Sequence, residues 1–469
     1  MFILMVVVFV LGYTAIALEH PLKVDKAASA LLLGVILWVM FFLGRVDILS
    51  MVNEAGEHIS KSWAHFLHLE GHEADTPEGM LHFITQFSIM EHLAEIATIL
   101  FFLLGAMTIV ETVDQHQGFK LITDKIKTTS KVKLLWILSF LTFFMSAALD
   151  NLTTTIVLVA LLRKLIADQK TRWFFASMVV LAANAGGAWS PIGDVTTIML
   201  WIGGQVTTGN IIAMVFIPSL ITMVIPLALL SFTMKGHVER PKANANEDRE
   251  FTSAFERKLI LFMGVGALLF VPVFKTFTHL PPYMGMLFGL GVLWVTTEIM
   301  HRYKPLEDKR KLTIVGVLQR VDVPTIFFFL GILTAVASLQ SAGHLSLLAG
   351  YLDKHLHNIF AINLIIGVLS AIVDNVPLVA GAMGMYDIAA AGSAGYDAYF
   401  MVDGAFWEFL AYCAGTGGSI LIIGSAAGVA AMGMEKIDFI WYLKRISLLA
   451  LIGYLAGAGA YYLQIQLLH

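Results

Sequence analysis

Hydrophobic residues gather into twelve long windows separated by short polar segments, and this pattern dominates the chain. About 20 consecutive apolar residues are enough for a helix to cross a bilayer. The windows lie at 2–18, 27–44, 93–113, 134–166, 173–202, 210–233, 259–276, 283–299, 324–342, 359–388, 404–432 and 446–466. The pattern predicts an all-α polytopic membrane protein. No basic leader precedes the first window, so we expect it to be a span rather than a removed signal.

Four of these windows do not fit simple spanning helices. Windows 134–166 and 359–388 each carry an Asp-Asn pair in the middle, and the arm 152–162 would be only about 16 Å long. Such an arm is too short to cross, so both windows are predicted to be re-entrant hairpins. Windows 173–202 and 404–432 hold Gly, Ser or Pro at mid-depth, which predicts spans that unwind into two half-helices.

The two hairpin tips repeat each other in sequence. The segment Ser146-Ala-Ala-Leu-Asp150-Asn151-Leu-Thr153 returns 224 positions later as Ser370-Ala-Ile-Val-Asp374-Asn375-Val-Pro377. A charge at the bilayer centre costs about 2.5–3.5 kcal/mol, so it persists where it has a partner or a function. Two matched copies, one in each half, indicate a single ion site assembled from an internal duplication.

The distribution of basic residues orients the chain. Basic residues flank the first hairpin on both sides, whereas Asp387 and Asp397 follow the second. The two hairpins are therefore expected to enter from opposite leaflets, as an inverted repeat requires. With this topology 26 of the 30 Lys and Arg residues fall in cytoplasmic segments, and both termini lie outside.

This topology predicts a division of the chain into scaffold and transport segments. The predicted segments are the N-terminal scaffold with an exterior His-rich loop (1–133), the first hairpin, broken helix and following span (134–234), a cytoplasmic linker (235–258), the scaffold spans of the second half (259–358), and the second hairpin, broken helix and last span (359–469).

Composition agrees with a membrane protein and excludes several other classes. The 469 residues are 58% hydrophobic and 14% charged, against about 25% charged in soluble domains. A net charge of −4 gives no reason to expect a nucleic-acid partner. The single cysteine, Cys413, excludes an intrachain disulfide.

The residues at the tips and breaks are suited to binding an alkali cation. Carboxylate, amide, hydroxyl and carbonyl oxygens are hard ligands, and half-helices expose unpaired carbonyls. The candidate residues are Asp150, Asn151, Thr153, Ser190, Asp194, Asp374, Asn375, Thr416 and Ser419, of which Asp150, Asn151, Asp194, Asp374 and Asn375 are the expected sodium ligands. Burial and mutual repulsion both favour the protonated form of a carboxyl group, so protons and sodium would compete for Asp150, Asp194 and Asp374.

Simpler interpretations stay open for some of these residues. An aspartate at a hairpin tip can be a helix cap, and a cap can also bind an ion. Glu298 and Glu408 lie near the ends of their windows and are expected to reach the membrane interface. In the exterior loop, His65, His68 and His72 are spaced to share one helical face and could bind a metal or sense pH. A solvated, acidic amphipathic loop is the favoured interpretation, because histidines without a cysteine or a fixed ligand motif are weak evidence for a metal site.

The tips, together with Asn184-Ala-Gly-Gly-Ala-Trp-Ser-Pro-Ile-Gly-Asp194-Val-Thr-Thr197, resemble the NhaD-type sodium/proton antiporters of the ion transporter superfamily. The resemblance implies a protein of the bacterial inner membrane that exchanges external protons for internal sodium or lithium, without a cofactor. It also implies a homodimer in which a scaffold holds a moving, elevator-type transport unit. Carboxylate-carrying relatives tend to have neutral Ser-Asn-Thr tips, whereas Asp150 and Asp374 are acidic here.

Two other functions compete with this reading. A sodium-coupled carrier of an anion could use the same fold, but it would need positive groups at the site, and Lys and Arg are missing from mid-depth in the predicted spans. An intramembrane aspartyl protease would also bury two aspartates, yet it has no need of inverted hairpins or Gly-rich breaks.

Overall fold

The computed structural model describes residues 1–17, 19–52, 56–71, 74–123, 125–241, 252–372 and 374–468. This part of the chain is helical, and its β-structure is limited to isolated bridges. The helices of the first half are α1 Phe2–Ala17, α2 Glu19–Leu22, α3 Lys26–Leu43, α4 Arg45–Leu49, α5 Lys61–Glu70, α6 Pro77–His82, α7 Ile89–Gln115, α8 Lys120–Thr123, α9 Lys131–Leu149, α10 Asn151–Leu165, α11 Gln169–Ala188, α12 Val195–Ile202 and α13 Thr208–Thr233. A π-helical turn, Phe83–Ser88, joins α6 to α7.

The helices of the second half are α14 Ala254–Thr278, α15 Pro282–His301, α16 Leu306–Leu312, α17 Ile314–Leu318, α18 Val323–Ser341, α19 His344–His355, α20 Ile359–Leu369, α21 Asn375–Met385, α22 Ala405–Gly417, α23 Ala426–Glu435, α24 Phe439–Arg445 and α25 Ser447–Leu468. A 3₁₀ turn, Gly395–Phe400, precedes α22.

Within the described residues, eight helical segments are long and apolar enough to cross a membrane. They are Lys26–Leu43, Pro77–Gln115, Lys131–Leu149, Thr208–Thr233, Ala254–Thr278, Pro282–His301, Val323–Ser341 and Ser447–Leu467. The expectation of an all-α polytopic membrane protein is confirmed. The inverted relationship between the halves stays a prediction.

Helix starts follow from local sequence. Asp25, Ser60, Thr76 and Asp322 each accept a hydrogen bond from a backbone N–H of the first turn of the helix that follows, which satisfies a donor that the helix leaves open. Ser253 and Glu256 form a reciprocal capping box, so α14 begins at Ala254, inside the segment expected to be linker. The polar run 244–250 of that linker lies outside the described residues.

The chain forms two compact units. The first comprises residues 1–100, 322–362 and 376–393. In it α3 packs along α18, and the indole of Trp38 donates to the carbonyl of Thr334 across 2.9 Å. His92 lies against Ser341, whose hydroxyl also contacts Ser88.

The proposed metal site of the exterior loop gains no support from this unit. His72 lies outside the described residues, and within the described ranges we find no group of three His, Cys, Asp or Glu side chains able to hold a metal ion.

The second unit comprises residues 101–321, 363–375 and 394–469. In it α9 packs on α11, α13 on α25, and α10 and α11 both contact α23. Phe143 is fully buried beside Ala182, Ala185 and Met223. The residue ranges of this unit include all nine candidate site residues of the two tips and the two breaks.

The predicted helix breaks are present. The first separates α11 from α12 over residues 189–194, and the second separates α22 from α23 over residues 418–425. Each break follows a pair of helices joined at an acidic tip: α9 and α10 meet at Asp150, and α20 and α21 flank the tip 370–374. The arm α10 has 15 residues, so it is longer than the 11-residue arm expected from hydropathy.

One close approach fixes how α25 sits on α13. A methyl group on Gly457 would overlap the hydroxyls of Thr222 and Tyr412 and the carbonyl of Pro218, whereas one on Gly459 would meet open space. Only a residue without a side chain therefore allows this contact.

We expect Gly457→Ala to lower the free energy of unfolding by about 1–3 kcal/mol, because overpacking forces the two helices apart. Gly459→Ala is the matched control and should melt like the parent protein. The measurement is the thermal midpoint of the purified protein in detergent, and equal midpoints for the two variants would contradict the packing argument.

Candidate ion-binding site

Asp150 occupies the turn between α9 and α10 in a strained backbone conformation. Its φ is 110°, a region that L-residues rarely adopt, at a typical cost of about 1–3 kcal/mol. Its carboxylate accepts from the backbone N–H of Thr153 at 2.7 Å and from the Thr153 hydroxyl at 2.7 Å. Asp150 is therefore a helix cap, as the simpler interpretation expected. Glycine would adopt this conformation without strain, whereas Asp150 offsets the strain through the two hydrogen bonds that its side chain accepts.

Asp194 is the most deeply buried of the candidate aspartates described. It ends the first break, caps α12 through the N–H of Thr196 at 3.2 Å, and is only 1% exposed. Its second carboxylate oxygen accepts from the side-chain amide of Asn151 at 2.8 Å. The first tip and the first break are thus joined directly at this carboxylate.

Asn184 extends this contact to the second break. Its amide oxygen accepts from Asn151 at 3.1 Å, and its NH₂ group donates to the hydroxyls of Ser419 and Ser425, each at 2.9 Å. All of these side chains are buried. We call Asn151, Asn184, Asp194, Ser419 and Ser425 the central network.

Asn184 and Ser425 were missed as site residues, although the sequence contains a signal for Ser425. Ala183-x-x-Gly186-Gly187-x₅-Gly193-Asp194 returns 231 positions later as Ala414-x-x-Gly417-Gly418-x₅-Gly424-Ser425. Ser425 thus stands where Asp194 stands in the first break, and it likewise caps its helix, α23, by accepting from the N–H of Gly428.

Contacts between tips and breaks repeat at these same shifts. Ser146 donates to the carbonyl of Ala183 at 2.6 Å, and the shifted pair, Ser370 and Ala414, does so at 2.9 Å. A methyl on Gly186 would overlap the carbonyl of Phe143, and one on Gly417 would overlap that of Gly367. The second break therefore matches the first in its contacts.

The hydroxyls of three candidate residues donate hydrogen bonds to other protein groups. Ser190 donates to the carbonyl of Ala147 at 2.5 Å, Thr416 to that of Tyr412 at 2.6 Å, and Thr153 to Asp150. Each hydroxyl keeps lone pairs that could bind a cation. Their role as ligands stays a prediction.

At the second tip Asn375 is buried and Asp374 is half-buried. Both Asp374 and Asp150 lie within electrostatic range of Asp194. The described residues nevertheless contain no compact group of three carboxylates. A cation here would be bound by single carboxylates together with amide, hydroxyl and carbonyl oxygens, which suits an alkali ion.

The expectation that Glu408 reaches the membrane interface is wrong. Its side chain is only 2% exposed, accepts a hydrogen bond from the Tyr461 hydroxyl at 2.6 Å, and contacts the amide of Asn210. It lies in the first turn of α22, eight residues before Thr416 on the same helix. Hydropathy places a residue along a span but does not tell which face is buried, which is why the sequence misplaced it.

Comparison with known proteins identifies the family. A family model described as citrate transporter, CitMHS, matches residues 13–404. The chain belongs to the CitMHS family. Members of this family are transporters and not enzymes, so the protease alternative is not favoured.

Individual relatives are similar over most of this CitMHS chain. It is 46% identical to sodium/proton antiporter 1 of Arabidopsis thaliana over 97% of this chain and 71% of the relative, and 44% identical to antiporter 2 of the same plant over 97% and 98%. It is also 31% identical to the Na⁺/H⁺ antiporter NhaD of Vibrio parahaemolyticus over 78% and 90%. The resemblance to NhaD-type proteins is confirmed.

The central network can be tested through stability. Asn184→Ala removes both donors to the second break and leaves the buried hydroxyl of Ser419 without that partner, so the free energy of unfolding should fall by about 1–3 kcal/mol. Ser177→Ala is the control on the same helix, because the buried Ser177 hydroxyl bonds only back to Trp173 one turn earlier. Equal thermal midpoints for the two variants would show that the network does not hold the breaks together.

Proposed function

We propose that this CitMHS protein is a secondary active antiporter that exchanges internal sodium or lithium for external protons by alternating access. The observation that carries the proposal is the central network, in which the buried carboxylate of Asp194 is bound by neutral donors only. Such a carboxylate needs either a cation or a proton to offset the cost of burying its charge. The names of the relatives, which are sodium/proton antiporters, support the same function.

Competition between the two ions follows from electrostatics in a buried site. An ionised Asp194 can bind sodium through the lone pairs that Asn151 and Thr196 leave free. A proton on the same carboxyl group neutralises it and removes the attraction for the metal. Binding both ions together would leave an unbalanced positive charge in a medium of low dielectric constant, which is costly.

We assign the exchange site to the two tips and the two breaks. The proposed residues are Asp150, Asn151, Thr153, Ser190, Asp194, Asp374, Asn375, Thr416 and Ser419, with Asn184 and Ser425 added from the geometry. No cofactor takes part in this proposal, since the transported ions themselves provide the driving force.

The second candidate is a sodium-coupled carrier of an anion, and the description of the family as citrate transporter is the reason to consider it. A dicarboxylate or citrate needs positive groups around it. The central network offers a carboxylate, amides and hydroxyls, with no basic side chain among its hydrogen-bond partners in the described residues. This composition favours a cation as the bound species.

The membrane setting is also a proposal. The excess of Lys and Arg in the predicted cytoplasmic segments supports both termini lying outside, and the NhaD relatives support a bacterial inner membrane. The Arabidopsis relatives support a eukaryotic membrane equally well. The charge distribution indicates on which side of a membrane each loop lies, but it does not indicate the organism. The family resemblance further leads us to propose a homodimer with an elevator-type transport unit.

Neutralising each aspartate tests the site. Asp150→Asn, Asp194→Asn and Asp374→Asn should each reduce sodium-driven proton movement in vesicles, with the largest loss at the buried Asp194. Asp168→Asn is the control, because Asp168 is an exposed cap of α11 bound by Thr171. A pH-sensitive dye reports the proton movement and radiolabelled citrate tests the anion alternative. Wild-type activity in all three variants, or sodium-dependent citrate uptake, would refute the proposal.

Competition predicts how sodium affinity depends on pH. Where the site is mainly protonated, the apparent KM for sodium should rise about tenfold for each unit by which the pH falls, since one proton displaces one cation. The maximal rate at saturating sodium should change much less. A KM that stays constant while the maximal rate falls would mean that protons act elsewhere.

A further inference from the structure

Two buried glutamates lie at opposite ends of the second broken helix, and their partners differ. Glu435, at the end of α23, is 2% exposed and accepts from the guanidinium groups of Arg163 and Arg172, each at 2.8 Å. Arginine can only donate, so both contacts of this glutamate are ion pairs. Glu408, at the start of α22, is equally buried but has no basic partner within ion-pair distance in the described residues.

The partners of Glu408 can adapt to either protonation state. The hydroxyl of Tyr461 can donate to a carboxylate or accept from a carboxylic acid. The side-chain amide of Asn210 can turn to present either NH₂ or oxygen. Phe409 stacks on Tyr461 with ring centroids 4.9 Å apart, which holds that hydroxyl in place. This environment accepts both forms of the glutamate without rearranging helices.

The remaining titratable groups nearby favour the protonated form. Asp403, just before α22, is bound by the N–H and hydroxyl of Thr207 and repels negative charge on Glu408. Tyr461 on α25 and Tyr412 and Cys413 on α22 are neutral when protonated, and all three are buried. An isolated buried carboxylate is costly, so a proton is its natural counter-charge.

Glu408 also lies between solvent and the central network. Asn210 is partly exposed at the start of α13, on the side that the charge distribution assigns to the exterior. On the inward side Tyr412 and Thr416 follow Glu408 at four-residue intervals, so the three share one face of α22. Thr416 lies about 12 Å further along the helix. The Tyr412 hydroxyl contacts that of Thr222 at 2.6 Å, and Gly415 places α22 beside Asp194.

We infer that Glu408 is a second proton-binding site of the transport cycle, which takes protons from the exterior before they reach the aspartates of the central network. This inference rests on the proposed function for its role in transport, but the binding of a proton to Glu408 does not. In the step, an external hydronium ion gives a proton to the Glu408 carboxylate and leaves as water, and the same proton later moves from Glu408 to a deprotonated aspartate. No other reactant is needed.

Infrared difference spectroscopy against pH tests the proton site in the purified, full-length protein. Wild type should show the carbonyl band of a protonated carboxyl group that Glu408→Gln removes and that Glu435→Gln leaves in place. Tyr461→Phe keeps the carboxyl group but removes one donor to its ionised form, so it should move the titration of this band to higher pH. A band unchanged in both Glu408→Gln and Tyr461→Phe would overturn the inference.

Transport assays test the role in the cycle. In proteoliposomes Glu408→Gln should keep sodium-for-sodium exchange within about twofold of wild type, while proton-coupled exchange falls about tenfold or more, in the range of a lost acid–base group. Equal loss of both modes would mean a structural role, and loss of neither would mean that Glu408 is a bystander. Asp194→Asn, which should lose both modes, reports separately on the proposed function.

Discussion

The structure depends on satisfying the buried amide of Asn184. Away from water, each polar group needs an internal partner. The two donors of Asn184 bind serines of the second break, and its oxygen accepts from Asn151 at the first tip. The side-chain NH₂ group of Asn151 also donates to the carboxylate of Asp194. One amide therefore ties three segments that are distant in sequence, and none of them can shift without exposing an unpaired polar group.

This arrangement is nearly symmetric, and its asymmetry has chemical meaning. Contacts between tip and break recur at fixed shifts in both halves, as the pairs Ser146–Ala183 and Ser370–Ala414 illustrate. Yet the cap of the first half-helix is Asp194, whereas the equivalent cap of the second is Ser425. Matching positions of the two breaks thus carry one carboxylate and one neutral hydroxyl. A single monovalent cation balances such a pair better than an anion or a divalent metal would.

Hydropathy and local motifs predicted most of the fold and part of the site. Spans, helix breaks and acidic tips follow from properties of neighbouring residues: apolar length, Gly and Pro at mid-depth, and Asp before a helix start. The site residues that were missed do not follow from neighbouring residues in this way. Ser425 was overlooked because the second break resembles the first only when the two are aligned at a shift of 231. Asn184 has Gly415 at its shifted position, and it was overlooked because a lone Asn in a span has many explanations.

Glu408 was misplaced for a related reason. Position along a span can be read from the sequence, but the face that a side chain presents to its neighbours depends on how helices pack. The partners of Glu408 come from α13 and α25, which are separated from it by about 200 and about 50 residues. Hydrogen bonds between distant helices are decided by tertiary structure, which no local pattern encodes.

The contrast between Glu408 and Glu435 shows how a membrane protein can bury two identical groups for different purposes. Two arginines form ion pairs with Glu435, and its backbone carbonyl accepts from Trp173, so that end of the broken helix is bound to the first half. A group held in two ion pairs is suited to a structural role. Glu408 has partners that can both donate and accept, which leaves its charge free to change. Buried carboxyl groups able to carry protons are therefore better recognised by the hydrogen-bonding character of their partners than by their depth in the membrane.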